Sequence, residues 1–248
     1  MKRYSMIGLA LISCQMVISK PSLSTFNYTA AGVTPLVTMP HKAPRKTPGK
    51  APRNSTMTSY IVLGREAGGH DKGRYDAFAG SRDAHDPAHP LYVAARELSE
   101  EAILSITLHM PIAQVRTFIN DLAHTHCILA VDDKKYSYRT VLYLTTFSET
   151  MVNNLLTTFI QARQKAHHWH EKEKDALALV TWSAFKKAII SSSRNSDIHV
   201  DALVIDAHGT SFEQISLRPS LCRIIRPHLE HKPYVAGEER NARFYTLT

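Results

Sequence analysis

The chain has 248 residues, enough for one large domain or two small ones, and its 44% hydrophobic content supports a proper core. A net charge of +8 would suit nucleic acid if it were spread over the fold, but eight of the 30 cations fall in residues 1–58, which hold no acid. The remaining 190 residues balance 22 cations against 22 acids, so a whole-surface electrostatic case for nucleic acid has little support.

The leader comes first. Lys2 and Arg3 precede an apolar run from Met6 to Ile18, interrupted by Ser13, Cys14 and Gln15. It is short for a membrane span and suits a secretory signal peptide. Leu11-Ile12-Ser13-Cys14 also reads as a lipoprotein cleavage box with Cys14 as the lipidated residue, while an acid-free basic leader is equally the composition of an organelle transit peptide. From Lys20 to Thr58 the chain is rich in Pro, Ser, Thr and Lys, a composition that cannot offset its ordering entropy and reads as a disordered linker. Met57, just before the first convincing strand, is an alternative start of translation. The expected organisation is a disordered basic leader over residues 1–57 and one domain over residues 58–248. Cys127 and Cys222 make no disulfide framework and are expected to be small buried hydrophobes.

The folded region alternates strands and helices. Ser59 to Arg65 is a strand, Glu66 to Lys72 a flexible turn among Gly68, Gly69 and Gly73, and Arg74 to Ala79 a second strand. His89 to Leu104 is a helix, and Pro111 to Ala123 is another, with Ile112, Val115, Phe118, Ile119 and Leu122 at helical spacing. Cys127 to Val131 and Tyr138 to Phe147 form a hairpin turned by Asp132-Asp133-Lys134-Lys135. Ser148 caps a helix through about Lys165. Ala176 to Trp182 is a strand, a short helix follows from Ser183, and Arg218 to Leu229 is the closing helix. Segments 191–200 and 230–248 are too polar and irregular to assign. Mixed strands flanked by helices suggest an α/β fold, an α/β/α sandwich on a mixed sheet.

The most informative run is Arg96-Glu97-Leu98-Ser99-Glu100-Glu101. At about 100° per residue, Glu97, Glu100 and Glu101 fall within roughly 100° of arc. Leu91, Ala94, Ala95, Leu98 and Ala102 form an apolar stripe beside them. Glu97 and Glu101 repel at i,i+4, so carboxylates gathered at the edge of a buried stripe need a cation, and hard oxygen ligands suit magnesium or manganese. Upstream stand Gly80 and, six residues on, Asp86. Gly80, Asp86 and the Arg96-Glu97-Leu98-x-Glu100-Glu101 run together resemble the signature of the Nudix hydrolase family. Three departures are visible: Asp86 replaces a Glu, nine residues rather than seven separate it from Arg96, and Ile103 stands where Gly is usual. The longer spacing fits an enlarged loop around Pro87 and Pro90, and losing the Gly suggests only that the helix ends differently.

The resemblance implies a Nudix-like α/β/α sandwich and hydrolysis of a nucleoside diphosphate linked to another group, using a divalent cation (Mg2+ or Mn2+). Glu97, Glu100 and Glu101 are then the metal ligands, and Arg96 orients a neighbouring carboxylate. Against this stands an exposed Arg96–Glu100 pair of under about 1 kcal/mol. Gly80 would allow close approach of the loop backbone, with a plain turn as the alternative, and Asp86 or Asp83 would support the loop. Glu173 is favoured over Glu171 as the general base in the segment His167 to Asp175. His167, His168 and His170 lack the helical-turn spacing of a zinc pair and read as a solvated loop tip. Tyr75, Trp169 and Trp182 are the rings on which a base could stack. The expected partner is a nucleotide-derived small molecule, with capped RNA among the candidates and no stable membrane span. Cytosolic work is favoured because such substrates are scarce outside the cell, with an exported or lipid-anchored protein as the alternative. A non-catalytic Nudix-like binding module and an exported interaction protein are the rival functions.

Overall fold

Strict alternation of inward and outward side chains, with both faces apolar, places a sheet between two helical layers. The computed structural model describes residues 28–40, 57–121, 125–132, 138–193 and 197–229. The leader's apolar run, Cys14, the hairpin tip after Asp132 and the 230–248 segment lie outside them, as does the side chain of Cys127. Among the described residues, nine strands form one mixed sheet. In chain order they are β1 (Ala30–Pro40), β2 (Met57–Glu66), β3 (Tyr75–Asp76), β4 (Phe78–Ser81), β5 (Thr125–Asp132), β6 (Tyr138–Thr146), β7 (Lys174–Thr181), β8 (Ile198–Asp206) and β9 (Gly209–Leu217). Their spatial order is β3-β9-β8-β7-β2-β1-β6-β5, with β4 also on β1 and β3 also on β2. Only β1–β6 and β3–β9 run parallel among the recorded pairings.

Tyr60, Val62, Val141, Tyr143, Leu177 and Leu179 point to one face, where they pack with α1 (Pro90–Glu101), α2 (Leu104–Thr107), α3 (Ile112–Asn120) and α4 (Glu149–Lys165). Ile61, Leu63, Leu142, Leu144, Ala178 and Val180 point to the other, against α5 (Trp182–Ser191) and α6 (Pro219–Leu229). Two covered faces explain why these strands read as continuous apolar runs. The expected α/β/α layering and mixed sheet are therefore present.

The boundary at residue 57 needs correction. Residues 30–40, expected within a disordered leader, form β1 near the middle of the sheet. Ala31, Val33, Val37 and Met39 are buried in it. Gly32, Pro35 and Pro40 disguise the strand, since proline in a central strand forfeits a ladder hydrogen bond. Pro35 escapes that cost by its position. The Leu36 carbonyl accepts from Phe147 N on the β6 side, so alternation turns the Pro35 nitrogen to the opposite edge. On that edge the β4 pairing has ended at Val33 and the β2 pairing begins at Leu36. A chain starting at Met57 would lack this strand.

The β8–β9 hairpin is a further addition to the expected elements, and its first strand begins inside the unassigned 191–200 segment. β8 buries Ile198, Val200, Ala202 and Val204 and turns His199 and Asp201 outward. Polar alternation of this kind marks a strand near a sheet margin. Ala207 and His208 make the turn, with His208 N donating to Asp206 Oδ1 at 2.8 Å and Gly209 at φ +117°.

The helices begin within a residue of where they are expected; α1 and α3 end sooner, whereas α4 and α6 end at Lys165 and Leu229 as expected. His89 caps α1, its Nδ1 accepting from Leu91 N at 3.2 Å, with Pro90 in the first turn. Ser148 caps α4 by accepting from Met151 N at 3.2 Å. The helix expected to continue to Leu104 breaks at Ile103, which adopts the left-handed conformation (φ 53°, ψ 46°) before α2 resumes. No described helix is long and apolar enough to cross a membrane.

Candidate functional site

The site forms where α1 lies over β4 and the start of β7, and Arg96 ties its parts together. Its Nη2 donates to Asp86 Oδ2 at 3.0 Å and to the Ser81 carbonyl at 3.0 Å, while Nε reaches Asp86 Oδ1 at 3.4 Å. Its Nη1 faces Glu97 Oε1 at 2.8 Å and Glu100 Oε2 at 3.4 Å. The bland alternative, an exposed Arg96–Glu100 pair, is thus set aside: one guanidinium clasps the loop, the end of β4 and two helix carboxylates. Asp86 is built into this clasp and takes the Asp83 amide at 2.8 Å. Burial pushes its carboxyl up, but the Arg96 hydrogen bond, the Asp83 amide and the Arg96 charge outweigh burial and hold it below its ordinary value.

Glu97 is 6% exposed. Burial raises its carboxyl to about 7; Arg96 opposes the rise, and Glu100 and Glu173 add to it. Gly80 is more than a turn residue, because a Cβ there would fall on the Glu97 carboxyl group. Only a glycine lets the β4 backbone and that carboxylate come so close.

Glu101, one turn further on, is 2% exposed. Its Oε1 lies 3.1 Å from the Lys174 ammonium, and its Oε2 is buried with no hydrogen-bond partner. Burial pushes this carboxyl well above its ordinary value, against the pull of Lys174 and with the help of Glu97 and Glu66. Lys174 is completely buried and also contacts Glu66 Oε1 at 2.6 Å. Burial disfavours its charge, but Glu101, Asp76 and Glu66 outweigh burial and keep it an ammonium. Its stem fills the slot left by Gly64, where a Cβ would come within 2.8 Å of Lys174 Cγ. Glu66 is shared with Arg218 Nη1 at 3.5 Å, and Arg218 also holds Asp76 at 2.7 Å and Asp71 at 2.8 Å.

Lys174, Glu66 and Arg218 are not evident from the sequence. Glu171 to Asp175 looks like a solvated charge run, and alternation from Leu177 and Leu179 puts Asp175, not Lys174, on the α1 face. The register breaks there: Arg65 pairs with Ala176 but Glu66 with Lys174. This bulge re-aims the lysine onto the α1 face, beside Glu66, which shares the parity of Tyr60 and Val62. Gly64 is the available signal, an unexplained glycine within a strand.

Glu173 is partly exposed, with His170 Nδ1 at 3.5 Å from its Oε1, and near enough to Glu97 for its charge to be felt there. Glu171 instead shapes the loop, its Oε2 accepting from the amides of His167 and His168 at 3.2 and 3.3 Å. Cys222 is buried on the α6 side of the sheet, and burial pushes its thiol up to about 12.

Among the described residues, no three His, Cys, Asp or Glu side chains already surround a common point as an ion requires. Glu100 is turned toward Arg96. The donor chemistry nonetheless fits a divalent cation: hard carboxylate oxygens outnumber the cations beside them, and the Glu101 Oε2 is buried and unpaired. No family model matches the chain, and no curated protein matches it. Among solved structures it is similar to a mutT/nudix family protein from Listeria innocua, at 17% identity over 63% of this chain and 82% of that one, with a TM-score of 0.29. So loose a superposition carries no weight for the activity.

Proposed function

We propose that this chain is a Nudix-type pyrophosphohydrolase, splitting a pyrophosphate bond in a nucleoside diphosphate linked to another group. The observation that carries the reading is the buried, unpaired Glu101 Oε2 within a cluster where Glu100 and Glu173 already crowd Glu97. Glu97, Glu101 and Glu100 would hold magnesium or manganese, the last after release from Arg96. Such a cation, when bound, neutralises phosphate oxygens and acidifies the attacking water. The chain's own residues do the rest. Arg96 fixes Glu97 and the Asp86 loop in one frame, and Gly80 leaves open backbone against the carboxylates. Glu173, partly exposed and beside Glu97, is the candidate general base. Nucleotide-derived small molecules are the substrate class, and capped RNA shares the same bond.

A panel of nucleoside diphosphate sugars, dinucleoside polyphosphates and capped RNA, assayed with magnesium or manganese, tests the reading. Glu101→Gln is expected to lower turnover at least about a hundredfold while circular dichroism stays unchanged. Equal turnover in a folded variant would overturn the assignment. One observation favours a second reading, a non-catalytic nucleotide-binding module: Lys174 already supplies a positive charge to Glu101. Ligand binding without turnover of any substrate would select it.

A further inference from the structure

Tyr75, Trp169 and Trp182 differ sharply once folded. Tyr75 is 2% exposed and cannot meet a ligand. Trp182 lies against Phe185, ring centroids 5.7 Å apart, with the Lys186 ammonium 5.8 Å from its ring. Trp169 is 68% exposed, more than any other large hydrophobic side chain among the described residues. An indole this wet forfeits burial worth having, so its setting matters.

That setting is a built loop. The Glu171 carboxylate gathers the amides of His167 and His168. Lys172 N donates to the Trp169 carbonyl at 2.9 Å, and Arg163 donates to the carbonyls of Lys174 and Lys172 at 2.8 and 3.4 Å. The His170 ring backs one side of the indole at 3.6 Å between centroids, tilted by 33°. The same His170 faces Glu173, whose charge reaches Glu97. The turn His170–Lys172 is a 3-10 helix lying against α1, so Trp169 stands about 8 Å from Glu173 along its axis. A nucleoside diphosphate spans such a gap with its base at one end and its phosphates at the other.

We propose that Trp169, backed by His170, is the stacking platform for the planar base of the substrate, which selects base-bearing pyrophosphates over base-free ones. The inference rests on the hydrolase reading for its phosphate end, yet it can be tested without turnover. The chain has two tryptophans, so in full-length Trp182→Phe protein the emission reports Trp169 alone. With magnesium present, ADP is expected to quench that emission and inorganic pyrophosphate to leave it unchanged. Calorimetry on the otherwise unaltered chain supplies the second measurement. Trp169→Ala is expected to weaken ADP binding about tenfold, Trp169→Phe to restore most of it, and neither to alter pyrophosphate binding. Equal quenching by both probes, or ADP affinity unchanged in Trp169→Ala, overturns the platform. Quenching by ADP in a protein that hydrolyses nothing would keep the platform and sink the hydrolase; turnover indifferent to Trp169→Ala would do the reverse.

Discussion

The two ends of the carboxylate cluster solve one electrostatic problem differently. Glu97 and Glu101 sit one turn apart on α1, both almost fully buried. At the Glu97 end a single guanidinium is divided among Asp86, Glu97 and Glu100, at the rim of the fold. At the Glu101 end a sealed ammonium is divided between Glu101 and Glu66, and Arg218 continues the chain to Asp71 and Asp76. Acids outnumber cations at both ends. The rim end can relieve its excess by taking up a proton or an ion, whereas the sealed end is held through Glu101 Oε1 by fixed pairing and leaves only Oε2 free to receive an ion. The contrast teaches that α1 is anchored at its C-terminal turn and responsive one turn earlier.

Breaking the sealed end has the largest expected effect. Lys174→Met strands the buried Glu101 carboxyl and leaves the half-buried Glu66 with Arg218, and removing one partner of a buried pair typically costs about 3–5 kcal/mol. Urea denaturation should show a loss of that order, with Lys174→Met combined with Glu101→Gln recovering much of it. A loss below about 1 kcal/mol, set against the cost expected for such a pair, would mean that the pairing does not anchor the helix. At the rim end, Gly80→Ala drives a methyl into the Glu97 carboxyl and is expected to cost about 1–3 kcal/mol, as overpacking does. It should also weaken manganese binding measured by electron paramagnetic resonance. Full stability with unchanged manganese affinity would show that Glu97 can swing clear.

The same contrast explains what is legible in the chain. The rim end is, because Arg96, Glu97, Glu100 and Asp86 belong to one local stretch whose helical spacing reports its own geometry. Gly80 and Glu173 stand out too, though not the partners they meet. The sealed end is hidden, because Glu66 is on β2, Lys174 on β7 and Arg218 at the junction of β9 and α6, and a single bulge decides which face Lys174 takes. Most strands and helices announce themselves through apolar periodicity. β1 hides behind Pro35, which is tolerated only because two neighbouring strands exchange places beside it, a tertiary fact without a local signal. β8 hides because it alternates buried and polar residues, and β9 because its first six residues are exposed before Ile215 and Leu217 turn inward, which thins the apolar signal of both.

Acidity sharpens the comparison next. Burial raises the Glu97 carboxyl from its ordinary value to about 7, so the folded chain holds that proton more tightly than the unfolded one. Its contribution favours the fold at low pH and declines as pH climbs from the ordinary carboxyl range through about 7. One such proton changes stability by at most about 1.4 kcal/mol per pH unit. Thermal melts in a chelator should therefore weaken between pH 5 and 8, and Glu97→Gln should flatten the decline. Magnesium should reverse it, since an ion bound by Glu97 displaces the proton. A decline that persists undiminished in Glu97→Gln would assign it to other groups.

The smallest expected effect concerns the residue that ends α1 just beyond Glu101. Ile103 takes a left-handed conformation, which costs a side-chain-bearing residue roughly 1–2 kcal/mol. A glycine would avoid that cost, yet the isoleucine side chain is fully buried among Leu98, Ala102 and Leu104 in the α1-side core. Deleting such a side chain costs about 2–5 kcal/mol, more than the strain, so packing holds the isoleucine in place. The ranking of two variants separates the terms. Ile103→Ala loses the packing and keeps the strain; Ile103→Gly loses slightly more packing and sheds the strain. Glycine at 103 should therefore be the less damaging of the two by about 1 kcal/mol in urea denaturation, against the usual order within a helix. Were alanine the milder change, the turn after Glu101 would be relaxed, and the anchoring of α1 would rest on Lys174 alone.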